Sequence, residues 1–276
     1  MKCLQKTWLV IIFVLSISPL CLMASTKIQY LGKSKNGLYH LNNQKYSLYF
    51  ILDKRNLYRV NSISNDDFKL KRAKMVHLLR LKGIKDESVL HDIQKVTRHL
   101  FMPVADYAYE DHPLRIASEQ TISQPYIVAF MTGVTQIDSQ SSVLEIGTGS
   151  GYQAAILGEI CKEVYSVEVI PDLGNNASQL LHELGYRNIY FKIADGYRGW
   201  EQKTPFDTII VTAATKKLPK EFLNQLKIGG RLIIPLEDQY QNQTLVKIIK
   251  TETESHFISD NLFDVRFVPM IGGNNA

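Results

Sequence analysis

The chain has 276 residues, 45% of them hydrophobic and 21% charged, which supports a sizeable packed core and excludes a disordered or fibrous protein. The net charge of +5 comes from basic and acidic residues mixed along the chain, without the basic stripe that marks a nucleic-acid binder. The 7 histidines are scattered and no H-E-x-x-H or paired C-x-x-C pattern occurs, so no metal site is expected.

Residues 1–25 have the layout of a secretory leader. Lys2 and Lys6 precede an apolar run from Trp8 to Ala24, broken only by Ser16, Ser18 and Pro19. Leu22 spoils the small-residue pattern of a cleavage site ending at Ala24, so an uncleaved membrane anchor is the other reading. Lys27, Lys33 and Lys35 follow closely, whereas positive charge tends to stay on the cytoplasmic side. Export or anchoring, with a periplasmic location, is the expectation, and a cytoplasmic enzyme is the alternative. Two of the three cysteines, Cys3 and Cys21, lie in this leader, and Cys161 reads as a small buried hydrophobe.

Residues 26–66 form a tyrosine-rich extension in which Tyr46, Leu48, Phe50 and Leu52 alternate as one face of a strand. From residue 67 onward the pattern is that of the main domain. Met75, Leu78, Leu79 and Leu81 follow a helical period ended near Gly83, and a second helix is expected over 89–99. A polar, aromatic loop follows at 106–113. From Ser142 the chain alternates: strand 143–146, helix 152–160, strand 164–169, helix 172–184, strand 189–193, strand 208–211, helix 219–226, strand 231–236. Two further strands are expected at 245–250 and 265–270. Such alternation predicts an α/β fold with a doubly wound, mostly parallel seven-stranded sheet, preceded by an N-terminal helical segment and the small extension. Ligands in such sheets bind beyond the carboxyl ends of the strands.

The first strand ends in Leu144-Glu145-Ile146-Gly147-Thr148-Gly149-Ser150-Gly151. Glycines permit a tight turn and close approach of backbone to ligand. The E-x-G-x-G-x-G form resembles the first motif of class I methyltransferases rather than the nicotinamide fingerprint. That resemblance implies S-adenosylmethionine, a cofactor with an ammonium and a sulfonium and no pyrophosphate, beside which a carboxylate such as Glu145 makes electrostatic sense. The second strand ends at Glu168, placed to accept ribose hydroxyls, and the third at Ala194-Asp195-Gly196, where Asp195 would accept the adenine amino group. Three carboxylates in register at successive strand ends make a site. Gly147, Thr148, Gly149, Ser150, Gly151 and Gly196 complete the expected cofactor set.

Upstream lies Gln120-Thr121-Ile122-Ser123-Gln124-Pro125-Tyr126. With the glycine loop, Pro205-Phe206-Asp207 and the segments at 98–103, 211–214, 229–235 and 267–270, it resembles the protein-L-isoaspartate O-methyltransferases over about the last three-quarters of the chain. The resemblance implies a Rossmann-like methyltransferase that esterifies the free α-carboxylate of L-isoaspartyl residues in damaged proteins and peptides, after which the ester closes to a succinimide unaided. It also implies a cytoplasmic enzyme acting on isoaspartyl-containing proteins and peptides; a monomer without a metal is expected. The serine of this motif is catalytic in the family, which assigns Ser123 to position a carboxylate oxygen, with Thr121 and Ile122 supporting it. Thr212, Ala213 and Ala214, small residues after the fourth strand, are expected to line the substrate cleft. The other reading of Ser123 is a helix N-cap ahead of Pro125.

One departure stands out. Family members carry glycines in an I-G-x-G-Q-like run where this chain has Ile116-Ala117-Ser118-Glu119-Gln120. If that loop takes positive φ, alanine and glutamate fit it poorly. This motivates two alternatives: a binding module that recognises damaged or acidic proteins without turnover, and a methyltransferase for another acceptor.

Overall fold

The computed structural model describes residues 29–33, 38–42, 46–53, 56–251 and 257–273. The leader expected at residues 1–25 lies outside them. No helix among the described residues is long and apolar enough to cross a membrane. The chain divides into two units, Met1–Leu70 and Lys71–Ala276.

The first unit contains an antiparallel sheet of strands β1 (Gln29–Lys33), β2 (Leu38–Asn42), β3 (Tyr46–Asp53) and β4 (Asn56–Ser64), paired in that order. The alternating tyrosine-rich run is therefore a central strand, with Leu48 opposite Leu41 on β2 and Ser62 on β4.

Helix Asn65–Leu81 leads into the second unit. Its buried positions include Met75, Val76 and Leu79, while Leu78 and Leu81 face outward, so the apolar stripe is rotated from the one the leucine spacing suggested. Helix Glu87–Lys95 starts at Asp86, whose carboxylate accepts the N–H groups of Ser88 and Val89, a standard N-cap. The helix expected over 89–99 stops earlier than its periodicity implies. Val96 takes an extended conformation, and a separate 3-10 turn, Arg98–Phe101, follows.

The main sheet has seven strands: β7 (Ser142–Ile146), β8 (Glu163–Glu168), β9 (Ile189–Ile193), β10 (Phe206–Val211), β11 (Leu226–Glu237), β12 (Gln243–Lys250) and β13 (Phe257–Val265), in the order β13-β12-β11-β10-β7-β8-β9. Two short strands, β5 (Leu114–Arg115) and β6 (Thr121–Ile122), pair separately. The five strands β11 to β9 run parallel, and β12 and β13 are antiparallel. Helices Tyr152–Ile160 and Pro171–Glu183 make the crossovers on one side of β7, and the chain then returns to place β10 on its other side. The strand order thus reverses between β7 and β10, the point at which open α/β sheets bind ligands. Leu144, Ile146, Val167, Ile209, Val211, Phe222, Leu232 and Ile234 form the core beneath it, each almost wholly buried.

One strand is misplaced by the sequence. The edge strand is 257–265, and residues 266–270 leave the sheet. The Gln243 side chain ends the ladder, accepting from the Phe267 N–H at 2.6 Å. Pro269 offers no N–H with which to continue it. Instead the strap lies along Ala214, which donates to the Val268 carbonyl and accepts from Met270 N, both at 2.8 Å.

Candidate active site

The β7 strand delivers the glycine loop to the switch point. Gly147, Gly149 and Gly151 all have positive φ (96°, 53° and 86°), backbone that L side chains rarely adopt. A Cβ at Gly147 would also lie 2.3 Å from Thr212 Oγ1. That hydroxyl donates to the carbonyls of Ile146 (3.0 Å) and Gly147 (2.7 Å), clamping the start of the loop to the end of β10.

The loop opens onto a cleft at the switch point. Four segments line it: 120–123, 146–150 with Tyr152 and Gln153, 167–170, and the strap 268–271, together with Gly196, Thr212 and Ala213. Of the expected residues, Thr121, Ile122, Ser123, Gly147, Thr148, Gly149, Ser150, Glu168, Gly196, Thr212 and Ala213 therefore meet around one cavity.

Glu168 is nearly buried and already engaged. Its Oε2 accepts Gly149 N at 2.8 Å, and its Oε1 accepts Val169 N and Ile170 N at 3.0 Å each. It therefore fixes the glycine loop as well as facing the cleft. Asp195 does not line the cleft. Its Oδ1 accepts Tyr197 N at 3.0 Å and its Oδ2 accepts Gly273 N at 2.9 Å. Ala214 is buried and contributes backbone to the strap rather than a wall to the cleft.

Glu145 departs furthest from expectation. It is completely buried under the loop and does not reach the cleft. Its Oε2 accepts the Ser166 hydroxyl at 2.5 Å, Ser166 is in turn 2.5 Å from the Thr148 hydroxyl, and Oε1 has no partner. Burial pushes its pKa up to about 8, opposed by the Ser166 hydrogen bond and assisted by the charge of Glu168. At neutral pH it is a neutral acid bracing Thr148, not a counter-charge for a cation.

Ser123 stands at the acceptor side. The helix that follows, Pro125–Thr135, is preceded by Gln124 as its N-cap, and no side-chain cap is made. Pro125 has no N–H to satisfy, and the next one, Tyr126 N, is taken by Asp111 Oδ1 at 2.8 Å. Asp111 thus does the work that capping would have asked of Ser123. Just upstream, Ser118 and Glu119 have φ of 57° and 58°, so the loop does take the left-handed conformation that the family's glycine favours.

Sequence reasoning missed three contributors: Arg98, whose Nη2 donates to the Ser123 carbonyl at 2.8 Å; Asp111; and the strap at 268–273. None announces itself locally, because each acts through a contact distant in sequence. Cys161 is buried, and burial pushes its thiol up to about 12, in keeping with an inert core residue.

The family model of protein-L-isoaspartate(D-aspartate) O-methyltransferase matches residues 70–275. A protein-L-isoaspartate O-methyltransferase of Dictyoglomus turgidum is 49% identical over 207 residues, covering 74% of this chain and 93% of the relative. One from Gloeobacter violaceus is 46% identical over 194 residues, covering 70% and 94%. A crystal structure from Plasmodium falciparum, described as a protein-L-isoaspartate O-methyltransferase in complex with S-adenosyl-L-homocysteine, superposes with a TM-score of 0.64 at 26% identity, covering 72% of this chain and 98% of that one.

Proposed function

The chain belongs to the protein-L-isoaspartate(D-aspartate) O-methyltransferase family, and we propose that it transfers the methyl group of S-adenosylmethionine to the free α-carboxylate of L-isoaspartyl residues in proteins and peptides. The observation that carries this reading is that the acceptor segment 120–123 and the glycine loop 147–150 line the same cleft.

The residues fit the cofactor. The positive-φ glycines bring the loop backbone to the cleft wall, packed directly against Thr212, and Glu168 offers a carboxylate at that wall where ribose hydroxyls would bind. Gly196 supplies the floor toward the adenine end, where a Cβ would press against Ile146 and Met270 at 2.8 and 2.9 Å. Asp195 holds the third strand's terminal turn and the 272–273 tail together at that end. When bound, S-adenosylmethionine supplies a sulfonium-activated methyl group.

The chain's own part is positioning. The acceptor carboxylate is ionised near neutral pH, so no general base has to make the nucleophile. The Ser123 hydroxyl, not needed for capping, donates to one carboxylate oxygen and aims the other at the methyl carbon. Thr121 and Ile122, paired with β5, hold that segment in place. Alignment of this kind, with water excluded, supplies most of what such a transfer needs. Thr212 and Ala213 give the peptide backbone room.

The test is methyl incorporation from labelled S-adenosylmethionine into an isoaspartyl peptide and its normal aspartyl twin. Labelling of the first alone is expected. Equal labelling of both, or of neither, overturns the proposal; binding of cofactor and peptide without product would favour a recognition module.

A further inference from the structure

Arg98 heads the fully buried side chains of the described residues by size. Its Nε donates to the Ala108 carbonyl at 2.8 Å and its Nη2 to the Ser123 carbonyl at 2.8 Å. Its guanidinium carbon sits 4.6 Å from the ring centroid of Tyr152, the residue that ends the glycine loop and lines the cleft. One side chain therefore ties together the 106–113 loop, the acceptor segment and the start of the helix behind the cofactor loop.

The charge is as unusual as the position. A buried guanidinium is costly unless paired, and a carboxylate is its ordinary partner. Here both directed bonds go to neutral carbonyls, and the remaining close contact is with the neutral Tyr152. Beside Tyr152 and Tyr109, the carboxylate whose field reaches it is Asp111. That carboxylate is already committed to Tyr126 N at 2.8 Å and to Lys82 Nζ at 2.5 Å. Lys82 takes the ion pair of Asp111, which leaves Arg98 with no carboxylate bonded to it behind Ser123. Two carbonyls could have been bridged by a neutral amide; a buried cation is unneeded for the bridging alone. Desolvation pulls its pKa below the ordinary arginine value, yet a guanidinium stays protonated in proteins near neutral pH.

We propose that Arg98 is a positioning residue for the methyl acceptor: it fixes the Ser123 main chain against the cofactor loop, and its charge selects a carboxylate over a neutral group. The inference rests on the acceptor reading given above and goes beyond it by naming the source of the selectivity. Short-range misalignment degrades transfer steeply, so the bridging and the charge have separable signatures.

The experiment compares wild type, Arg98→Lys and Arg98→Met. Each is titrated calorimetrically, in the presence of S-adenosylhomocysteine, with an isoaspartyl peptide and with the same peptide carrying a neutral α-carboxamide; kcat, KM and the S-adenosylhomocysteine Kd are measured alongside. Lysine keeps the charge but reaches one carbonyl at a time, so KM for the peptide rises about tenfold while preference for the carboxylate persists. In Arg98→Met the preference collapses to within about twofold and kcat/KM falls about a hundredfold, with the S-adenosylhomocysteine Kd rising far less than the peptide Kd. An unchanged preference in Arg98→Met, an unchanged peptide KM in Arg98→Lys, or cofactor and peptide affinities falling together overturns the proposal. Should the methionine variant fail to fold, Arg98→Gln, neutral but still able to donate to one carbonyl, takes its place, and an unchanged carboxylate preference there overturns the proposal. A wild-type enzyme with no preference for the ionised peptide would instead refute the acceptor reading on which the inference rests.

Discussion

Replacing Glu145 by glutamine should abolish a large part of the pH dependence of stability. The carboxyl is fully buried and its pKa is raised from 4.5 to about 8. In the unfolded chain it titrates in the ordinary range. Below that range both states hold the proton, and the native state has its full advantage. Between the ordinary range and about 8 the unfolded state has lost the proton while the native state keeps it, so each rise in pH favours unfolding. Each unit is worth about 1.36 kcal/mol, which makes the loss about 3 kcal/mol by pH 7 and at most about 5 kcal/mol by pH 8. Glutamine has the shape of the protonated acid, retains an oxygen for the Ser166 hydroxyl and does not titrate. Its packing cost is the same at every pH, so the informative quantity is the slope. Urea unfolding of the cofactor-free protein at half-unit steps from pH 4.5 to 8.5 measures it. Stability of Glu145→Gln relative to wild type should climb steadily across that window and then level. Parallel curves for the two proteins would refute a neutral Glu145 and restore a charged one beneath the loop.

Two other outcomes follow from backbone geometry. Gly147→Ala combines a φ of 96° with a Cβ 2.3 Å from Thr212 Oγ1, and should cost about 2–4 kcal/mol; adding Thr212→Ala removes the overlapping oxygen and should return part of that loss, whereas strict additivity in a double-mutant cycle on unfolding free energy would contradict the clash. Glu119→Gly relieves a left-handed residue at φ 58° and should stabilise by about 0.5–1 kcal/mol, while Ala117→Gly, at a position outside that region, should destabilise by a similar amount; calorimetric melting that ranks the two the other way round refutes the strain.

Features carried by local pattern are legible in the sequence. A glycine-rich turn after an apolar strand fixes where β7 ends, and acids at three strand ends follow from the alternation of elements. Which way those acids point is not legible. Glu145 and Glu168 both end or border strands, yet one is sealed under the loop and the other holds three N–H groups at the cleft wall. Period-two alternation places successive side chains on opposite faces, but it does not say which face a crossover helix will cover. Ser123 reads equally well as cap and as catalytic residue, until Asp111, in the loop before β5, takes the N–H that a cap would have served. The departure at Ala117-Ser118-Glu119 signals a non-glycine loop, and only the dihedral angles show that Ser118 and Glu119 carry the left-handed conformation while Ala117 does not.

Two of the segments that line the cleft, residues 120–123 and the strap 268–271, are separated by more than half the chain. A fragment that lacks either segment lacks part of the ligand site. Ligand affinity is thereby tied to the integrity of the whole second unit. Cofactor at a hundred times its Kd stabilises that unit by about 2.7 kcal/mol through mass action alone. A protein whose work is repairing aged chains is in this way itself protected against unfolding by the metabolite it consumes.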